Sequence, residues 1–384
     1  MRNRLPLFYA VTSLFWFALY AYVPYVAPYA EEMNTDVRMI GLITGSYGFT
    51  QMAIRFPLGI FSDKLRKRRI FIIAGLLFAA ASGLVVFISP SPASLLTARS
   101  LAGIAASSWV IFAVLCTAYN NPDETVKTVG LLNACNSFGR MAALLLGGII
   151  AEWHGFSYAF LLSGLAGLIG LALSPGIVEK APKTEPPKLS ALLDVARNQQ
   201  LLCTSLLAIF AQYISFATTF GFTPLVATGL GATNLQLGLL GVASTLPGLF
   251  IAPFTGTLIN KLGAKKTLIY CFLFSAIASM AIPLTQQIWH LFVIQILNNI
   301  GLIIAFSSLM GLCILNISSE RHATAMGFFQ AVYGLGMFLG PFVMGFLIHE
   351  MGLVPAFVLT GTIGLIAGIL TVVFVNRGYM SDSG

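Results

Sequence analysis

A chain of 384 residues that is 57% hydrophobic and only 9% charged has no polar shell large enough for a water-soluble globule, since soluble domains carry roughly 25% charged residues. The formal charge of +8 does not point to nucleic acid, because the basic residues sit in short connectors between apolar runs. The five cysteines (Cys116, Cys135, Cys203, Cys271 and Cys313) are scattered through apolar segments without metal-ligand spacing, so they read as buried small hydrophobes, and no metal or cofactor is expected.

Along the chain, Arg2 and Arg4 precede an apolar stretch reaching about Ala30. It is too long for the apolar core of a signal peptide and no small-residue cleavage site closes it, so it is read as a first spanning helix. A bilayer needs roughly 20 apolar residues per helix. Twelve such spans are predicted near 5–30, 37–61, 70–89, 93–118, 126–151, 156–177, 200–228, 235–259, 266–285, 288–315, 322–348 and 353–375. The fold class is therefore all-α, because a helix in lipid satisfies its own backbone hydrogen bonds and an open sheet does not.

With the N-terminus inside, one set of connectors holds Arg2, Arg4, the Lys64–Arg69 cluster, Lys127, Lys180, Lys183, Lys188, Arg197, Lys261, Lys265, Lys266, Arg321 and Arg377. The opposite set has only Arg38. The asymmetry places both termini in the cytoplasm of a cytoplasmic (inner) membrane protein. One connector, from Val178 to Asn198, is long and rich in Pro and charge. It divides the chain into an N-terminal six-helix bundle (1–177), a linker (178–198), a C-terminal six-helix bundle (199–376) and a tail (377–384).

The halves are related in sequence. An offset of 197 pairs Gly59 with Gly256, Asp63 with Asn260, Lys64 with Lys261, Leu65 with Leu262 and Arg69 with Lys266. The same offset pairs Gly130 with Gly327, Gly139 with Gly336, Gly148 with Gly345, Gly155 with Gly352 and Gly164 with Gly361. One register serving two separate regions argues for duplication, the sequence mark of a pseudo-symmetric transporter.

The connector after the second span runs Gly59-Ile-Phe-Ser-Asp63-Lys64-Leu65-Arg66-Lys67-Arg68-Arg69. Here Gly59 would permit close helix approach, Asp63 could sit against a helix N-terminus or an Arg, and the basic cluster would anchor the loop. The segment resembles the signature G-x-x-x-D-[RK]-x-G-[RK]-[RK] of the major facilitator superfamily, matching at Gly59, Asp63, Lys64, Lys67 and Arg68, with Arg66 in place of Gly. A weaker copy, Gly256-Thr-Leu-Ile-Asn260-Lys261-Leu262-Gly263, keeps the Gly that the first lacks. The resemblance implies two six-helix bundles, alternating access and a cavity lined mainly by the first, fourth, seventh and tenth spans. It also implies a gating role for the loop residues Gly59, Asp63, Lys64, Arg68, Asn260 and Lys261. Arg99-Ser-Leu-Ala-Gly103 resembles the family's R-x-x-x-G element of proton-driven exporters, whereas Ala143-Leu144 stands where the antiporter Gly-Pro would be, and this weakens a drug/proton antiporter reading.

Arg55, Arg99 and Arg140 lie inside spans, and no Asp, Glu, Lys or His falls near the middle of one. An Arg at that depth costs about 2.5–3.5 kcal/mol on insertion scales and should face the bundle or a wet cavity. Asn133, Asn136, Ser137 and Arg140 make one polar stripe at helical spacing, as do Thr44, Tyr47, Gln51 and Arg55, and Tyr9, Ser13, Trp16 and Tyr20. Each arginine either meets an anionic solute group through paired hydrogen bonds or bonds carbonyls and amides to lock the bundle. The candidate solute contacts are Arg140, Arg99, Asn133, Asn136, Trp16, Tyr20, Gln51, Gln212, Asn298, Asn299 and Gln330. For any one amide, binding solute and tying helices together are both open.

The expected protein is a monomeric secondary carrier of a small organic anion or amphipathic metabolite. The alternative is a proton-coupled exporter of hydrophobic drugs. Expected partners are the solute, lipids and, for coupling, protons or a counter-anion, with no nucleic acid. No Ser/His or His/Asp/Glu cluster lies at membrane depth, so an enzyme is not expected.

Overall fold

The computed structural model describes residues 5–65, 67–119, 125–179, 197–251, 254–318, 321–376 and 380, and among them there is no strand. The helices are α1 (Leu5–Glu32), α2 (Val37–Leu65), α3 (Arg68–Ile88), α4 (Pro92–Ala118), α5 (Thr125–His154), α6 (Phe156–Gly176) and α7 (Gln199–Gly229). They continue as α8 (Asn234–Ile251), α9 (Ala264–Leu284), α10 (Ile288–Leu312), α11 (His322–Met351) and α12 (Leu353–Asn376), with a short helix Thr255–Leu262 before α9.

Eleven of the described helices are long and apolar enough to cross a membrane. The twelfth, α2, falls outside that set and carries Arg38, Arg55, Asp63 and Lys64. Its 29 residues, at about 1.5 Å each, still reach ~43 Å. The side chains of Asp63 and Lys64, together with Arg66 and most of the linker (180–196), lie outside the described residues.

The chain forms two compact units. One comprises Met1–Asn34, Phe49–Pro186 and Thr233–Val242, and the other Thr35–Gly48, Pro187–Ala232 and Ala243–Gly384. Helix α2 therefore changes unit after Gly48, and α8 after Val242.

Helices surrounded by lipid gain little by hiding apolar surface from each other, so they associate where small residues let backbones meet. In the first unit α5 lies on α1 through Gly139, whose Cβ position is occupied by the Ser13 carbonyl, and through Gly147 against the Ala21 carbonyl. In the second unit α11 lies on α7 in the same way, through Gly336 on Ile209 and Gly340 on Tyr213. The 197-residue offset seen in the sequence thus reappears in the contacts of Gly139 and Gly336, while Gly147 and Gly340 serve the two seams without sharing it. It also reappears in the turns: Gly155 (φ 89°) joins α5 to α6 and Gly352 (φ 84°) joins α11 to α12, a left-handed backbone that costs a side chain roughly 1–2 kcal/mol. The close approach expected at Gly59 is not found. Among the described residues nothing lies within 4 Å of a Cβ there, nor at Gly256, because both sit where the chain leaves the packed helices.

Aromatic packing fills the first unit: Phe15 lies 4.8 Å from Phe112, and Tyr22 stacks on Phe160 at 4.5 Å. Leu207, Leu268, Phe272, Leu309 and Phe329 form the buried centre of the second unit. Large apolar side chains on the outside, such as Phe138, Phe250 and Trp289, suit a surface bathed in lipid.

The start of the linker is docked. Tyr119 donates its hydroxyl to the Val178 carbonyl, and the Glu179 carboxylate accepts from the backbone N–H groups of Arg68 (2.9 Å) and Arg69 (2.8 Å). The first turn of α3 has no other use for these donors, and its positive dipole end favours the carboxylate.

Two expectations follow. Gly139→Ala and Gly336→Ala should each lower stability by about 1–3 kcal/mol, as overpacking does, whereas Gly130→Ala and Gly327→Ala, which have open space around them, should be neutral in thermal denaturation of detergent-purified protein. Glu179→Ala should loosen the start of α3 by about 1 kcal/mol, the typical worth of a helix cap, read as faster amide hydrogen exchange at Arg68 and Arg69.

Candidate solute-binding site

The Gly139–Ser13 contact sets the register between α1 and α5. Ser13 donates its hydroxyl to the Cys135 carbonyl (3.2 Å) one turn earlier, which closes the same seam. Two turns along α1 from Ser13 comes Tyr20, and directly after Gly139 comes Arg140, so the seam delivers the guanidinium onto the tyrosine. The Arg140 Cζ lies 4.2 Å from the Tyr20 ring centroid. Among the described residues Arg140 has no carboxylate partner, and its Nε is buried without a hydrogen bond. A guanidinium over an aromatic face keeps its five N–H donors in its own plane, available to an anion.

Around this pair the predicted residues separate into groups. Trp16 lies one turn before Tyr20, with ring centroids 5.9 Å apart, and meets Trp109 of α4 edge to face at 5.2 Å. Its indole Nε1 is buried and has no hydrogen-bond partner. Asn136, one turn before Arg140, is half-buried and its Oδ1 likewise lacks a partner, while Asn133 lies exposed a turn further on. The polar stripe read from the sequence of α5 is thus present, but its depth is graded from Asn133 to Arg140. Gln51 of α2 is buried with an unpartnered Oε1. Arg55 and Arg99 are buried and each is engaged within the protein, as Arg140 is with the Tyr20 ring.

In the second unit the amides make a network of their own. Helix α7 widens into a π-turn at Thr218–Phe222. Asn298 of α10 accepts from Ser275 (2.6 Å) and donates to Thr218 (3.3 Å), while Asn299 donates to Thr219 (3.2 Å) and to the Gln295 carbonyl (2.9 Å). Gln295 Nε2 also donates to Thr219 at 2.8 Å. The amide of Asn298 is thus committed to tying α7, α9 and α10 together, a common use of amides between membrane helices. Gln212 and Gln330 are half-buried and outside this network, and Gln330 Oε1 has no partner.

Of the residues expected to form a gating loop, Arg68 is buried and offers its backbone N–H to Glu179, whereas Asn260 and Lys261 are exposed near the end of the short helix. At the opposite end of α2, the Arg38 side chain and backbone N–H both bond Asp36 (2.9 and 2.8 Å) and hold its carboxyl down at about 2.

Trp109 is the residue the sequence did not single out. It follows Ser108, where α4 breaks and restarts, and no periodic pattern marks it.

The sequence profile of the Major Facilitator Superfamily matches residues 8–219 and again 205–383. The uncharacterized MFS-type transporter MJ1560 of Methanocaldococcus jannaschii is 24% identical over 364 residues, covering 92% of this chain and 93% of its own. The quinolone resistance protein NorA of Staphylococcus aureus is 26% identical over 168 residues, 44% of this chain and 43% of that protein. A crystal structure of a bacterial homologue of the human lysosomal transporter Spinster, in an inward-facing and occupied conformation, shares the fold with a TM-score of 0.82 at 14% identity, covering 100% of this chain and 99% of that one. With helices that span a membrane, a duplicated half and a profile match in each half, the chain belongs to the Major Facilitator Superfamily of membrane transporters.

Proposed function

We propose that this transporter carries a small organic anion across the cytoplasmic membrane by alternating access, with both termini in the cytoplasm. The observation that carries the reading is Arg140, halfway along α5, held over Tyr20 with a buried, unbonded Nε and no acidic partner among the described residues. A charge kept at that depth costs too much to serve as filler, and a guanidinium pairs with carboxylate or phosphate through two parallel hydrogen bonds. Asn136 and Trp16 flank it with further unpartnered polar atoms. Acidic residues are absent from the middle of the spans, so exchange, uniport or entry of the solute with its own proton fits better than a carboxylate relay. Asn298 and Asn299 belong in this reading to the scaffold, with Gln212 and Gln330 as the second unit's solute-facing candidates.

Export of hydrophobic drugs is the second reading, favoured by the aromatic face of α1 and by the partial likeness to NorA. Charge separates the two. In proteoliposomes, Arg140→Ala should cut uptake of labelled monocarboxylates at least tenfold, since a hydrogen bond to a charged group contributes roughly 1.5–3 kcal/mol, and Arg140→Lys should restore part of it. Transport of ethidium by the wild type, unaffected by either substitution, would instead establish the exporter.

A further inference from the structure

We infer that the solute of the Arg140 site is an aromatic monocarboxylate, a planar ring bearing one negative charge; this rests on the anion reading above. The inference comes from what surrounds the guanidinium. Tyr20, Trp16 and Trp109 form a continuous aromatic wall running from α1 to α4, with neighbouring centroids 5.9 and 5.2 Å apart. Tyr20 already spends a face on Arg140 at 4.2 Å. Trp109 is only half-buried, so its ring has surface left to meet a ligand.

Polar atoms at this wall select further. Trp16 is 7% exposed, and its indole N–H is buried with no partner. That group is a donor only, so it calls for an acceptor, and a carboxylate bound to Arg140 has lone pairs to spare after a two-bond contact. A carboxylate that reached both donors, one charged and one neutral, would have its charge and a spare lone pair satisfied together. The wall presents one cation, Arg140 over Tyr20, which matches one negative charge on the ligand. A sugar phosphate or polyhydroxy acid needs hydrogen-bond partners for each of its hydroxyl groups, and a wall made of ring surface supplies few of them, which leaves a desolvation cost. A planar ring instead gains offset-stacked or edge-to-face contact. Asn136 Oδ1, a buried acceptor one turn before Arg140, would take an N–H or hydroxyl substituent on that ring.

The test uses purified full-length protein in detergent, with thermal stabilisation as the readout and four probes: benzoate, hexanoate, benzamide and ethidium. Benzoate should stabilise the wild type with a half-saturation at least tenfold below that of hexanoate, and benzamide should give no shift. Arg140→Ala should abolish the benzoate shift, and Trp16→Phe, which keeps a ring but loses the N–H, should weaken it about tenfold. Equal stabilisation by benzoate and hexanoate, both lost in Arg140→Ala, would overturn the aromatic class and leave the anion reading standing. Stabilisation by ethidium alone would overturn both. No shift with any probe would overturn the aromatic class. Because the comparison of benzoate with hexanoate is made on the wild type, it stands even if a variant fails to fold.

Discussion

The meeting of α5 with α1 at Gly139 is the constraint on which the first unit depends. A glycine there lets the helix backbones touch at the Ser13 carbonyl, and contact at that distance leaves little freedom to slide. Everything chemically interesting nearby inherits its position from that seam. Arg140 is the next residue on α5, and Tyr20 lies two turns along α1, so the guanidinium is brought over the ring by backbone contact. Nothing else in an apolar bundle would hold a charge so firmly, because lipid and neighbouring helices are equally apolar to one another.

The same device is used twice. Gly336 against Ile209 and Gly340 against Tyr213 join α11 to α7 as Gly139 and Gly147 join α5 to α1. What differs is the cargo of the seam. In the first unit it positions a cation and three rings. In the second it supports a π-turn in α7, where Thr218 and Thr219 are laced to Gln295, Asn298 and Asn299. Duplication preserved the scaffold contacts and let the polar residues diverge, and so the two halves carry different chemistry on one frame.

Much of this was readable from the residues. The spans, α2 among them despite its charges, follow from run length against bilayer thickness. The 197-residue offset paired Gly139 with Gly336 and Gly155 with Gly352, which the fold uses for matching helix contacts and matching turns, since glycine serves where a backbone must approach or adopt positive φ. Of the stripe from Asn133 to Arg140, the arginine lies on the side of α5 that meets α1, while Asn133 is exposed. Gly59 misled for the same reason that Gly139 informed: a glycine near a helix end serves close packing only if another helix is there to be met.

What the sequence determined by itself was the membrane class, the twofold repeat and the presence of three arginines within spans, because hydropathy, register and charge are properties of the chain in order. The tertiary structure decided which polar groups are occupied and which are free. Asn298 differs from Gln330 in what neighbouring helices bring within hydrogen-bonding distance, and Arg140 owes its ring contact to the packing of α5 on α1. Trp109 became part of the wall through a break in α4 that carries no periodic mark. Partnership across helices depends on packing between residues far apart in the chain, and spacing along one helix does not encode it.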